Sequence, residues 1–176
     1  MPDEISTQAV LRGAEMRPPA GPTRGSFHMT KTFPALTLLL LMIPAAGCAT
    51  STQITSGNTN MCMNVVNHGW PQPGAPLILR MCDPWKNQQW TFSGNGQITG
   101  VGGFCLDVQG SAPTDGAPVI YTPCSGSPSQ NWTASNGTIT GIGGKCLDIA
   151  GGNPAERAPL VINACNGSPS QQWVSH

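Results

Sequence analysis

NGQITGVGGFCLDVQG, from Asn95 to Gly110, is nearly repeated as NGTITGIGGKCLDIAG from Asn136 to Gly151. Outward from these two stretches the whole region from about residue 53 resolves into three copies of one unit. The first copy, QITSGNTNMCMNVVN from Gln53, is more diverged. Each copy closes on a Q-x-W triplet: Gln88-Gln89-Trp90, Gln130-Asn131-Trp132 and Gln171-Gln172-Trp173, with the tryptophans 42 and 41 residues apart. Each triplet's first Gln lies six residues after a cysteine, namely Cys82, Cys124 or Cys165. One such unit is too small to bury its own apolar face, so three in tandem imply one shared core.

The cysteines keep the same period. Six of the seven fall in the repeats, and of their 15 conceivable pairings repeat symmetry selects Cys62–Cys82, Cys105–Cys124 and Cys146–Cys165. A metal site would need tighter CxxC or HxxxH clusters, and the sequence has none. Charged residues are only 9% of the 176-residue chain, Gly and Pro number 22 and 17, and net charge is zero. Such punctuation excludes long helices, and the lack of basic excess removes the electrostatic basis for binding nucleic acid. Asn95-Gly96 and Asn136-Gly137 lie between short β-type runs, a strong hairpin signal. The fold class expected is all-β.

Three units of about 40 residues, each with paired cysteines and Q-x-W, and two of them with G-x-C-L-D, resemble the ricin B-type lectin family, whose carbohydrate-binding modules fold as a β-trefoil. The resemblance implies twelve strands in three pseudo-symmetric lobes over 53–176 (about 53–99, 100–140 and 141–176), with one disulfide inside each lobe. It implies that Trp90, Trp132 and Trp173 form the core, supported by Gln88, Gln130 and Gln171.

The resemblance also places a shallow sugar pocket on each lobe. An Asp two residues after the first cysteine would accept bonds from sugar hydroxyls, and charge assistance strengthens such bonds. An aromatic residue two before the second cysteine would cover the apolar sugar face, and a polar residue just before Q-x-W would add a bond. The Asp position holds Asn64, Asp107 and Asp148. The stacking position holds Arg80, Thr122 and Asn163, none of them aromatic. The third position holds Asn87, Ser129 and Ser170, so no lobe has the full set. Two readings stand for Asp107 and Asp148: sugar binding, or a folding bond to the Q-x-W glutamine. Alternation puts Val119 and Tyr121 on the core face with Leu77, Leu79, Leu160 and Ile162, unless a bulge at Pro123 turns Tyr121 outward. Trp85 would either stack on sugar beside Asn64 and Asn87 or fill a gap beneath the longer first-lobe loop, and the same pair of readings applies to Trp70. Asp115, Glu156 and Arg157 read as solvated turn residues.

Residues 1–47 stand apart. Phe33 to Ile43 is an apolar run too short to span a bilayer; Lys31 precedes it and Ala45-Ala46-Gly47 follows, which describes an export signal with Met29 as the expected start. Ala45-Ala46-Gly47-Cys48 resembles the lipobox of bacterial lipoproteins, with Ala45 where Leu is usual, and makes the odd cysteine, Cys48, the expected lipidation site ahead of a short linker over 48–52. Cleavage without acylation, giving a freely secreted protein, is the alternative.

The expectation is a non-catalytic, exported, monomeric lectin, with carbohydrate as partner and any membrane association through the lipid anchor alone. No cofactor, catalytic residue or metal is expected. The mature chain has only His68 and His176 as bases, neither in a motif. Asp107 and Asp148 occupy equivalent places on different lobes, too far apart for the paired carboxylates of glycoside hydrolysis. The alternatives are a trefoil that recognises protein after losing sugar binding, and the binding subunit of a secreted toxin.

Overall fold

A computed structural model of the chain describes residues 50–57, 59–66 and 72–176. The export signal, Cys48, His68 and Trp70 lie outside the described residues. Twelve strands follow in order: β1 (Ile54–Ser56), β2 (Met61–Val65), β3 (Ala75–Met81), β4 (Thr91–Phe92), β5 (Ile98–Thr99), β6 (Cys105–Val108), β7 (Ala117–Thr122), β8 (Thr133–Ser135), β9 (Thr138–Thr140), β10 (Cys146–Ile149), β11 (Leu160–Asn163) and β12 (Trp173–Ser175). Short 3₁₀ turns are the only helical segments among the described residues. The expected all-β trefoil is present.

The strands form three four-strand units in which the second and third strands pair closely: β2 with β3, β6 with β7, β10 with β11. β7 joins both β3 and β11, and an isolated bridge from Ile78 to Pro159 joins β3 to the entry of β11. The three longest connections therefore meet around one axis. β1 pairs with β12, closing the sheet. β5 and β9 stand just before the breaks read from the sequence at 99/100 and 140/141, and their pairing makes them the opening strands of the second and third units.

Alternation along the strands gives the core its layers. Leu77 and Leu79, Val119 and Tyr121, and Leu160 and Ile162 are fully buried. Trp90, Trp132 and Trp173 are buried too, and each indole N–H donates to a backbone carbonyl of its own lobe: Met63 O at 3.0 Å, Leu106 O at 3.1 Å and Leu147 O at 3.0 Å. A buried indole needs that partner. The rings pack so closely that a Cβ on Gly100 would lie 2.9 Å from Trp90. Tyr121 meets Trp90 edge-on at 5.9 Å and its hydroxyl donates to Val101 O at 2.6 Å. Burial pushes that hydroxyl up to about 12, and Tyr121 is a core residue with no outward-turning bulge.

The hairpin signals hold. Asn136 and Gly137 both have positive φ (50° and 77°), the backbone of a type I′ turn between β8 and β9. The three disulfides pair as repeat symmetry requires, with Cα–Cα distances of 4.9, 5.0 and 5.1 Å. Each closes a loop of about 20 residues, which constrains the unfolded chain by roughly 3 kcal/mol.

Candidate functional site

The first Gln of each Q-x-W triplet is a girder. Its carbonyl oxygen accepts from a backbone N–H just past the second cysteine: Asp83 at 2.9 Å, Ser125 at 2.8 Å and Asn166 at 2.9 Å. Its amide donates to the carbonyl just before that cysteine: Met81 at 3.0 Å, Pro123 at 3.1 Å and Ala164 at 2.9 Å. The same amide reaches the side chain at the Asp position: Asn64 at 3.3 Å, Asp107 at 2.9 Å and Asp148 at 3.0 Å. Gln88, Gln130 and Gln171 are buried, so loss of any one strands several polar groups. They bring the three site positions of each lobe together, and the three resulting clusters differ.

In lobe 3, Asp148 is saturated. Its Oδ2 accepts from Asn163 at 3.0 Å and Gln171 at 3.0 Å, and its Oδ1 accepts from the Ile149 backbone at 2.7 Å. Burial pushes the carboxyl up, but hydrogen bonds from Ser170, Asn163, Gln171 and the Ile149 N–H outweigh it and hold the group below the usual carboxylate range. In lobe 2, Asp107 Oδ2 accepts from Thr122 at 3.0 Å and Gln130 at 2.9 Å. Its Oδ1 is buried and has no donor among the described residues. An orphaned carboxylate oxygen is costly and calls for an explanation.

In lobe 1 the site is neutral at its centre. Asn64 Oδ1 accepts from Asn87 at 2.6 Å as well as from Gln88, and Asn64 donates to Val65 O at 2.8 Å. A pocket of about 170 Å³ opens beside them, lined by Asn64, Val65, Val66, Ile78, Arg80, Asn87 and Arg157. Trp85 is 65% exposed on the turn leading to Asn87 and is not part of that lining. It is therefore not packed into a gap.

Asp115, Glu156 and Arg157 are exposed turn residues, as expected, and they also make contacts between lobes. Each lobe's loop between its second and third strands reaches the next lobe. Gly74 N–H donates to Tyr121 O at 2.9 Å, Gly116 N–H to Ile162 O at 2.8 Å, and Arg157 N–H to Leu79 O at 2.8 Å. Asp115 Oδ1 accepts from Lys145 at 2.8 Å and from the Ala164 N–H at 2.7 Å; the Lys145 bond foremost holds its carboxyl below the usual value. Glu156 accepts from the Met81 N–H at 3.0 Å and pairs with Arg80 Nε at 3.0 Å. At the third junction the clamp cannot form, because Pro73 supplies no acid and Pro123 supplies no N–H. The signal lay in G-A-P, G-A-P and R-A-P at 74–76, 116–118 and 157–159: an acid precedes two of the three, and an arginine replaces one glycine.

A further depression of about 210 Å³ lies at the hairpin end, lined among others by Ile54, Phe92, Ile139 and Trp173, and it holds no titratable side chain. Among the described residues no group of three or more His, Cys, Asp or Glu could hold a metal ion.

Over residues 50–173 the chain matches the model of the ricin-type beta-trefoil lectin domain. No curated protein matches it by sequence. It is similar to the designed threefold-symmetric protein ThreeFoil, at 26% identity, 71% of this chain, 96% of that one and TM-score 0.64. It is similar to the agglutinin from Abrus precatorius, at 25% identity, 76% of this chain, 51% of that one and TM-score 0.63. The C-half of an earthworm R-type lectin, solved in complex with GalNAc, shares the fold at 19% identity, 72% and 98% coverage and TM-score 0.62.

Proposed function

This chain belongs to the ricin-type β-trefoil lectin family, and we propose on that premise that it is a non-catalytic carbohydrate-binding module whose working site is lobe 2. Asp107 carries the reading. A sugar hydroxyl is the donor its unpartnered oxygen needs, Thr122 offers a hydroxyl beside it, and Gln130 holds the carboxylate in place. Lobe 1, with Asn64, Arg80 and Asn87, contributes a second pocket, and exposed Trp85 is available for contact with a longer saccharide. Lobe 3, with Asp148 and Asn163 tied to each other, serves the fold. The protein acts as an exported monomer, signalled by residues 1–47 and anchored through an acylated Cys48. Fatty-acid labelling that is lost in Cys48→Ser tests the anchor. Two sites on one rigid body raise avidity for a polysaccharide through effective concentration.

A glycan array with the oxidised protein, beside Asp107→Asn and Asp148→Asn, tests the reading. Binding of neutral glycans lost in Asp107→Asn and kept in Asp148→Asn is the expected result. A second reading, a trefoil that recognises protein, is favoured by the absence of a stacking aromatic at Arg80, Thr122 and Asn163. A folded protein that binds no glycan would establish it in place of the first.

A further inference from the structure

Lobe 1 departs from the other two lobes in one consistent direction: it has lost acceptors and gained donors. The central carboxylate is replaced by Asn64, whose single side-chain oxygen is already taken twice, by Asn87 and Gln88. The stacking position is Arg80. Its Nε lies 3.0 Å from Glu156 Oε1, and a guanidinium has four further N–H donors, for which no hydrogen bond is formed among the described residues. The second cation comes from another lobe. Arg157 sits where lobes 1 and 2 have Gly74 and Gly116, keeps their left-handed backbone (φ 69° against 82° and 81°), and makes the same inter-lobe hydrogen bond. A non-glycine residue at positive φ costs on the order of 1 kcal/mol, so nothing in the fold asks for an arginine here. Its side chain lines the pocket together with Arg80, Asn64 and Asn87. Arg157 has no ion-pair partner among the described residues; the two pairs formed are Arg80–Glu156 and Lys145–Asp115.

We propose that this pocket between lobes 1 and 3, walled by Arg80 and Arg157, binds the anionic group of an acidic saccharide, a uronic-acid carboxylate or a sugar sulfate. The inference rests on the lectin reading and deepens it. Two guanidinium groups suit a planar or tetrahedral oxyanion, which accepts paired N–H donors. Asn87 and Asn64 line the same space, and Val65, Val66 and Ile78 supply apolar surface for the ring. A neutral sugar would leave Arg157 without a counter-charge, since Glu156 pairs with Arg80. An acidic one supplies it. The chain then has two different sites: an acceptor site for sugar hydroxyls at Asp107, and a donor site for sugar anions at Arg157.

Arg157→Gly is the test variant. It restores the residue of the equivalent positions and relieves the left-handed backbone, so it folds with its hydrogen bond to Leu79 intact. Titrations use three probes at low and moderate salt: an oligogalacturonate, a sulfated galactose oligosaccharide and a neutral galactan oligosaccharide. The wild-type protein should bind an acidic probe at least about tenfold more tightly than the neutral one. That preference should fall with salt and disappear in Arg157→Gly, while Asp107→Asn keeps it. The acidic probe that binds distinguishes carboxylate from sulfate. Equal affinity for acidic and neutral probes, or acidic binding unchanged in Arg157→Gly, overturns the inference. If neutral binding then depends on Asp107, the lectin reading survives on its own. Binding of none of the probes overturns the inference, and the array then decides the lectin reading.

Discussion

Lobes 2 and 3 carry the same disulfide, the same G-x-C-L-D, the same Pro-Ser-Gln turn and the same buried glutamine, yet their carboxylates end in different states. Asp148 has every oxygen occupied. Asp107 has one with no donor. The difference traces to a backbone N–H: Ile149 donates to Asp148 Oδ1 at 2.7 Å, and Asp107 Oδ1 receives no counterpart bond among the described residues. The neighbouring serines differ as well: Ser170 Oγ lies 2.9 Å from Ser168 Oγ, and its counterpart Ser129 lies 2.8 Å from Ser127 Oγ and also 3.1 Å from Ser111 Oγ. Ser111 stands where lobe 3 has Gly152, and a Cβ built on Gly152 would sit 3.9 Å from Ser170 Oγ. One serine in place of one glycine thus gives Ser129 an extra hydrogen-bond partner beside the lobe 2 carboxylate. Like Gly152, Ser111 has positive φ (53° against 73°), an unfavourable backbone for a side-chain-bearing residue. Strain beside an unsatisfied carboxylate supports the proposal that lobe 2 holds a ligand.

The frame is common to both lobes, so breaking it should hurt both equally. Cys105→Ala/Cys124→Ala and Cys146→Ala/Cys165→Ala should each cost about 3 kcal/mol in urea unfolding, since both loops close 19 residues. A marked inequality would mean that the lobes differ in framework as well as in site, and would break the comparison.

The carboxylates themselves should separate the lobes. Asp148→Ala strands the Asn163 and Gln171 amides and the Ile149 N–H in a buried setting, and should cost about 2–3 kcal/mol with no change in glycan binding. Asp107→Ala also removes two bonds but relieves the orphaned oxygen, and should cost about 1 kcal/mol while abolishing lobe 2 binding. Paired denaturation and glycan titrations read both effects. Equal stability losses would remove the distinction between a structural and a binding carboxylate.

Acid adds a smaller, signed difference. The folded-state value of Asp148 is depressed, so its contribution to stability is complete above the unfolded value of about 3.9 and is lost as pH falls through the folded value. The stability gap between wild type and Asp148→Asn should therefore be constant at neutral pH and close below about pH 4. Carboxyl NMR of the folded protein should show Asp148 titrating below the usual range. A gap that widens with acid would reverse the assignment.

The repeat made the frame legible. Cysteine spacing gave the three disulfides, Q-x-W gave the buried tryptophans, and strand alternation gave Tyr121 to the core. These features are periodic because three lobes must meet around one axis. The site residues were legible as positions, because the same period carries them. Their states were not. Whether Asp107 or Asp148 keeps a free oxygen depends on whether the next residue's N–H reaches it, as Ile149 reaches Asp148, and no spacing encodes that. The inter-lobe contacts were hidden for another reason. Glu156 and Arg157 act on Arg80 and Leu79, far away in sequence, and a turn sequence that faces solvent says nothing of the neighbouring lobe it also touches.

The smallest expected change gives the sharpest test of the comparison. Ser111→Gly makes lobe 2 like lobe 3 at the one position that diverts Ser129. The substitution relieves the positive-φ backbone and removes the Ser111 partner of the Ser129 hydroxyl, which is then free to turn toward Asp107. Stability should rise by about 0.5–1 kcal/mol, partly offset by the greater freedom of glycine in the unfolded chain. Affinity for neutral glycans should weaken, since the ligand hydroxyl must now displace an internal donor. Calorimetry of unfolding and of glycan titration on the same sample measures both. If Ser111→Gly binds glycan as tightly as wild type, then the serine does not open the site, and the orphaned oxygen owes its state to the backbone at Val108 alone.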